Sequence, residues 1–238
     1  MSKDIYIITG ASRGIGAALF DQLTDMPAAQ VLGVARSNPA HHENFICADL
    51  TDLSAYDAIV AWLQDRRSNA SSVTLINNAG MVEPIGRVGA LDAAALAQSV
   101  ALNVTAPMAL TNAVLGMLAD IAIPKKILNI SSGASQSSIA GWASYCAAKA
   151  ALDHFTRVLH LEQQDAAHPA RVMAVAPGVI DTGMQETIRA AEASAFPDVE
   201  RFRELKQRGQ LQSPEETARG LIALLQSPSF GAQAVGRL

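Results

Sequence analysis

The 238-residue sequence predicts a doubly wound α/β fold, a three-layer αβα sandwich with one parallel sheet between two layers of helices. Three observations carry this. Short β-branched or apolar runs alternate with segments of helical length, the order that builds a parallel sheet through right-handed crossovers. Most of the runs lack polar–apolar alternation, as strands covered on both faces do. Half of the residues are apolar, 17% are charged and only 5% are aromatic, which suits small aliphatic side chains packed between helices and a sheet.

In chain order, strands are expected at residues 5–9, 31–35, 45–48, 73–77, 126–131 and 171–176. Helices are expected at 14–25, 54–66, 92–120, 143–164 and 214–226. The stretch 92–120 is too long for one ordinary helix. Pro107, tolerated in a first helical turn, places a division near Asn103. Residues 181–212 interrupt the rhythm with two short helices before Pro214. That insertion suits a substrate lid beside the carboxyl edge of the sheet, and plain packing would read the same way. A last strand is limited to about 232–235. With no repeat, low-complexity tract or linker, 1–238 reads as a single domain.

The net charge of −4 gives no basic footprint for nucleic acid or an anionic membrane. Two cysteines, Cys47 and Cys146, make no disulfide framework, and the five histidines form no ligand set, so no metal is expected. No signal segment precedes the first strand, and no apolar run approaches the roughly 20 residues of a membrane span. The expected location is the cytoplasm.

Directly after the first strand comes Thr9-Gly10-Ala11-Ser12-Arg13-Gly14-Ile15-Gly16. Glycines let the backbone turn tightly and approach a phosphate, and the following helix aims free N–H groups at the anion. The spacing is G-x-x-x-G-x-G rather than G-x-G-x-x-G, so its position as a strand-to-helix turn carries the weight. The second strand is followed by Arg36-Ser37, where an NAD site would offer an acidic residue. Arg13 adds a second cation, and arginine forks match a phosphate, so NADP(H) is the expected cofactor. Asp49-Leu50 follows the third strand, with Asp49 a candidate acceptor for the adenine amino group. Asn77-Asn78-Ala79-Gly80 follows the fourth, where Gly80 lets a cofactor lie close. Either motif alone also reads as an ordinary loop.

The chemistry lies in Tyr145-Cys146-Ala147-Ala148-Lys149. Helical positions i and i+4 share a face, which sets phenol beside ammonium. A nearby cation lowers a phenol's pKa, and a hydroxyl so tuned can protonate a carbonyl oxygen while hydride reaches carbon. Ser132 stands at the end of the fifth strand, where a doubly wound sheet has its ligand crevice. A serine there can hydrogen-bond the same oxygen.

The ordered set Thr9–Gly16, Asn77–Gly80, Asn103, Ser132, Tyr145, Lys149 and Pro177-Gly178 resembles the short-chain dehydrogenase/reductase family over essentially the whole chain. The resemblance implies a Rossmann-type fold and hydride transfer between a nicotinamide and a carbonyl/alcohol pair. Tyr145 would be the general acid in reduction, and Lys149 would bind the nicotinamide ribose and lower the Tyr145 pKa. Ser132 would orient the carbonyl, Asn103 would hold a water in the proton relay, and Ser131 would be a structural strand-end residue. Gly10, Ser12, Arg13, Gly14, Ile15, Gly16, Arg36, Ser37, Asp49, Leu50, Asn77, Ala79, Gly80, Pro177, Gly178, Val179 and Thr182 would line the cofactor, with Tyr145 and Lys149. Glu83–Gly86, Gly141-Trp142, Asp181–Gln185 and Phe196-Pro197 are similar to bacterial benzil reductases, which are relatives of sepiapterin reductase. That similarity implies an NADPH-dependent reductase of α-dicarbonyl compounds. Sepiapterin reductases carry an acidic residue near the C-terminus to anchor the pterin. Residues 231–238 hold none, which argues against pterin reduction.

Trp142, Met184 and Phe202 are candidates to line an apolar substrate pocket beside Ser132 and Tyr145, or else to pack as core. Residues 104–118 and 147–161 are apolar around much of their circumference. In the family such helices pair in a homodimer or homotetramer, and the expected partners are a small-molecule ketone and a second copy of the chain. Two rivals stay in view: 3-oxoacyl or alcohol chemistry on the same scaffold, and a non-catalytic NADP(H)-binding sensor.

Overall fold

The computed structural model describes residues 2–238. Seven parallel strands form one sheet in the order β3-β2-β1-β4-β5-β6-β7. They are β1 Lys3–Thr9, β2 Ala29–Ala35, β3 Phe45–Cys47, β4 Ala70–Asn77, β5 Lys125–Ile130, β6 Ala170–Ala176 and β7 Val235–Arg237. This is a Rossmann-type sheet, and the strand order reverses between β1 and β4. A doubly wound fold has its ligand crevice at that switch point, off the carboxyl ends of the strands.

Helices α1 Gly14–Thr24 and α8 Pro214–Gln226 cover one face. Leu19, Phe20, Leu23, Leu221 and Leu225 lie there against Ile8, Ile76 and Leu128. On the opposite face lie α2 Ala55–Gln64, α4 Ala106–Met117 and α5 Ala143–Glu162. Their Ile59, Leu63, Leu110, Val114 and Leu159 meet Ile7, Leu75 and Ile127. Helix α8 starts where its sequence says it should. Ser213 and Glu216 form a reciprocal capping box, and Pro214 occupies the first turn, where its missing N–H costs nothing.

The division expected near Asn103 is present, as a π-helical turn between two α-helices rather than as a break in the chain's helical path. Helix α3 Ala93–Val100 runs into α4 through a single π-helical turn, Ala101–Thr105, which accommodates Pro107 in the first turn of α4 without ending the helix. Joined in this way, Ala93–Met117 is the one helix among the described residues long and apolar enough to cross a membrane by length and composition. No apolar run of that length was expected, and this is the first of two corrections. Here its buried side packs on the sheet through Leu110 and Val114 and pairs Thr111 with Asn77. The last strand is the second correction. It occupies Val235–Arg237 rather than 232–235, in register with Ala174–Ala176. Gly231, at φ 72°, closes the turn over residues 228–231 that precedes the strand.

The insertion contains two helices, α6 Gly183–Ala190 and α7 Val199–Gln207, and the Ile180–Gln212 bridge closes its base. Ile188, Phe196, Val199 and Phe202 bury against Val82, Ala134, Trp142 and Tyr145. Each such side chain stabilises by roughly 2 kcal/mol, so the insertion is a packed wall rather than a loose flap.

Candidate active site

The glycine loop is shaped by close approach. Gly10 and Gly14 take φ of 69° and 58°, and a side chain on Gly16 would begin 2.2 Å from the Gly10 carbonyl oxygen. The loop is held from below by Asn78, whose Nδ2 donates to the Thr9 carbonyl at 2.9 Å and the Gly10 carbonyl at 3.3 Å. Thr9 Oγ1 in turn accepts the N–H groups of Asn78 and Ala79, each at 3.0 Å. Asn77 does something different. Its amide donates to Thr111 Oγ1 and Asn129 Oδ1 inside the helical layer, away from the loop. Successive residues leaving a strand face opposite sides. Asparagine side chains are expected to fix a strand end by bonding backbone groups, and Asn78 does so, while that alternation turns Asn77 to other side chains.

Helix α1 begins at Gly14 with no side-chain cap from Arg13, so its first N–H groups are free for an anion. The loop therefore fits a dinucleotide's phosphates. Arg36 and Ser37 are exposed at the end of β2. Asp49 lies close enough to Arg36 to feel its charge. Two hydrogen bonds from Thr51, chiefly its backbone N–H, hold the Asp49 carboxyl below the usual range, and Arg36 adds to the effect. Leu50 beside it is buried, its carbonyl taken by Tyr56. Arg13 leans elsewhere. Its guanidinium is 3.5 Å from where a Gly183 side chain would start, and Thr182 meets Gly14 across the crevice. The two arginines thus attend different ends of the crevice in the ligand-free chain. Gly178, at φ 100°, turns the chain after β6, and Val179 accepts the Gln212 N–H at the foot of the insertion.

The candidate catalytic groups come from the end of β5 and the start of α5. Tyr145 lies in the first turn of α5 and Lys149 one turn on, with the ammonium 5.7 Å from the phenol ring centroid. Both are buried. Lys149 Nζ donates to the Ile130 carbonyl at 2.8 Å. Burial pulls its pKa down to about 8, against the opposing charge of Asp153. Burial also raises the Tyr145 phenol, and the facing Ser132 hydroxyl pulls it back only in part. The expected lowering of that phenol by Lys149 is not what dominates in the free chain. Ser132 Oγ also accepts the Ala134 N–H at 3.2 Å, which fixes the short turn Gly133–Ser135.

Asn103 sits in the π turn, fully buried. Its amide brackets Met81, donating to the carbonyl at 2.9 Å and accepting the N–H at 3.0 Å. It also donates to Ser99, which accepts from Ser144 beside Tyr145. A side chain on Gly80 would lie 2.9 Å from Asn103 Oδ1 and 3.7 Å from Lys149 Nζ, so the glycine keeps this corner open.

Met184 Sδ stands 4.0 Å from the Tyr145 hydroxyl. Trp142 meets the Tyr145 ring edge-on at 5.5 Å and stacks on Phe196 at 4.8 Å, with Phe202 at 5.3 Å. Trp142 and Phe202 therefore belong to a buried aromatic box behind the phenol, and Met184 stands on its hydroxyl side.

A parallel sheet whose first turn leaves helix N–H groups free for an anion, and a hydroxyl pair beside a buried lysine, fit a dinucleotide-dependent oxidoreductase. The sequence agrees: residues 4–193 match the short chain dehydrogenase family, and the chain belongs to it. It is therefore an oxidoreductase of carbonyl and alcohol groups that uses a nicotinamide cofactor. The chain is 36% identical over 230 residues to the benzil reductase ((S)-benzoin forming) of Bacillus subtilis, covering 94% of this chain and 93% of that protein. It is 31% identical over 252 residues to the sepiapterin reductase of Rattus norvegicus, with 97% and 94% covered. Among solved structures it superposes on KRED1-Pglu with a TM-score of 0.86 at 28% identity, covering 98% of this chain and 100% of that one.

Proposed function

We propose that the protein is an NADPH-dependent carbonyl reductase that reduces a ketone, of the α-dicarbonyl class typified by benzil, to a hydroxyketone. The observation that carries this is the buried Tyr145 hydroxyl, faced by Ser132 and walled by Met184 and the Trp142 box. A bound nicotinamide cofactor would supply the hydride for the carbonyl carbon. The chain does the rest. Tyr145, kept protonated by burial, gives its proton to the carbonyl oxygen, and Ser132 donates a hydrogen bond to that oxygen as negative charge develops. Lys149 offers its charge beside them. Arg36, with no carboxylate at the end of β2, supports NADPH over NADH. The relationship to benzil reductases supports the diketone class.

Pairing of two copies through α4 and α5 belongs to the same reading, supported by the exposed Met108, Val158 and Leu161. Light scattering after gel filtration tests it, and a monomer at micromolar concentration would remove it. The exposed Cys47 and unpaired Cys146 suit a reducing compartment such as the cytoplasm. The test of function is loss of NADPH absorbance with benzil, a phenyl alkyl diketone, sepiapterin and a 3-oxoacyl thioester, repeated with NADH. Preferential turnover of the diketones with NADPH is expected. Tight NADPH binding with no turnover would favour a sensor.

A further inference from the structure

Three consecutive residues at the end of β5 are fastened to three turns of α5. The Ile130 carbonyl holds Lys149, the Ser131 hydroxyl donates to Asp153, and Ser132 faces Tyr145. Tyr145, Lys149 and Asp153 are spaced by four residues, so one buried helix face carries all three. Asp153 is the odd member. It is 2% exposed, and among the described residues no cation lies within ion-pair distance of it. A buried carboxylate is costly to fold around, and an apolar residue would pack there at less expense.

The groups facing the Lys149 ammonium explain its presence. From α5 come Tyr145 and Asp153, with Cys146 beside the phenol. The neighbouring strand end gives the Ile130 carbonyl, and the Gly80 corner brings the neutral Asn103 amide. Among the described residues, Asp153 is the charge that opposes the effect of burial on Lys149, from one turn further along the same helix face.

We propose that Asp153 is a positioning residue for the reductase reaction: its buried carboxylate keeps the Lys149 ammonium charged inside the crevice and, through Ser131, fixes the strand end that presents Ser132. The role rests on the reductase reading above. Asp153 touches neither substrate nor cofactor and acts through Lys149 and Ser131.

The test has two arms. In the first, kcat and KM for a diketone are followed against pH in wild type, Asp153→Asn, Asp153→Glu and Ser131→Ala. With Asn, the basic limb of kcat moves toward acid by about one unit, which lowers turnover about twofold at pH 7 and approaches a tenfold loss above pH 8. Activity recovers at acid pH and KM is unchanged. Glu keeps the wild-type limb, and Ser131→Ala lowers kcat without moving the limb. An equal loss at every pH with an unmoved limb would mean that Asp153 is merely structural and would overturn the proposal.

The second arm needs no turnover. Urea unfolding of Asp153→Asn, Lys149→Met and the double variant is expected to show that the Asn change lowers the folding constant about fivefold or more further in wild type than in the Met background. Additive losses would overturn the proposal. If wild type reduces no ketone at all, the reductase reading falls and takes the catalytic role with it, while the cycle still decides whether Asp153 keeps Lys149 charged.

Discussion

The ammonium of Lys149 reaches the Ile130 carbonyl at 2.8 Å from within a crevice that shields both groups from water. One neutral acceptor does not replace a hydration shell, and the lysine pKa drops from 10.5 to about 8. Between these values the unfolded chain binds more protons than the folded one. The contribution of Lys149 to stability therefore rises with pH across that window. Below pH 8 the charged form costs roughly 3 kcal/mol at most. The unfolding free energy of Lys149→Met minus that of wild type should be largest at neutral pH and shrink as pH climbs above 8. A pH-independent difference in urea titrations would contradict the buried-charge account.

Tyr145→Phe removes the proton donor and keeps the ring against Trp142. Turnover of any ketone accepted by the wild type should fall about 10²–10⁴-fold, the range for losing a general acid. NADPH affinity, measured by fluorescence quenching, should hold within about threefold. Substantial residual turnover would assign the proton to another group.

Arg36→Leu should weaken NADPH binding by roughly ten- to a hundredfold, the scale of one or two charge-assisted hydrogen bonds, and leave NADH nearly unaffected. Arg13→Leu offers a contrast, because Arg13 lies against Gly183 in the free chain. If it swings to the 2′-phosphate its loss will also select against NADPH. If it stays, both cofactors will suffer alike. Dissociation constants for both cofactors read this directly.

Asn78→Ala removes the amide that ties the glycine loop to the carbonyls of Thr9 and Gly10. A net loss of about 1–2 kcal/mol in stability is expected, with weaker binding of NADPH and NADH alike. Unchanged cofactor affinity would show that Gly16 against Gly10 is enough to set the loop.

Much of this was written in the sequence. Alternating runs with buried, non-alternating strands define the parallel sheet, and β1, β2, β4, β5 and β6 fall within a few residues of where those runs lie. Less legible features depend on contacts distant in sequence. Asn77 and Asn78 are identical neighbours, and only the strand's final orientation tells one from the other. The π turn at Asn103 costs no apolar residue, so hydrophobic periodicity does not show it. The last strand depends on pairing with Ala174–Ala176, which its own few residues do not announce. Trp142 and Phe202 look alike as apolar pocket material, and only Phe196 stacking between elements reveals that they support the phenol from behind.

Met184 gives the free site a temporary occupant. Its sulfur is a weak acceptor, so a ketone oxygen that enters between Ser132 and the Tyr145 hydroxyl displaces a poor partner on the Met184 side. Admission then goes to molecules bearing a neutral acceptor of adequate strength at the right depth, with reducibility decided only afterwards. Amides and sulfoxides of benzil-like shape would pass the same gate, accept the same proton contact and remain unreduced.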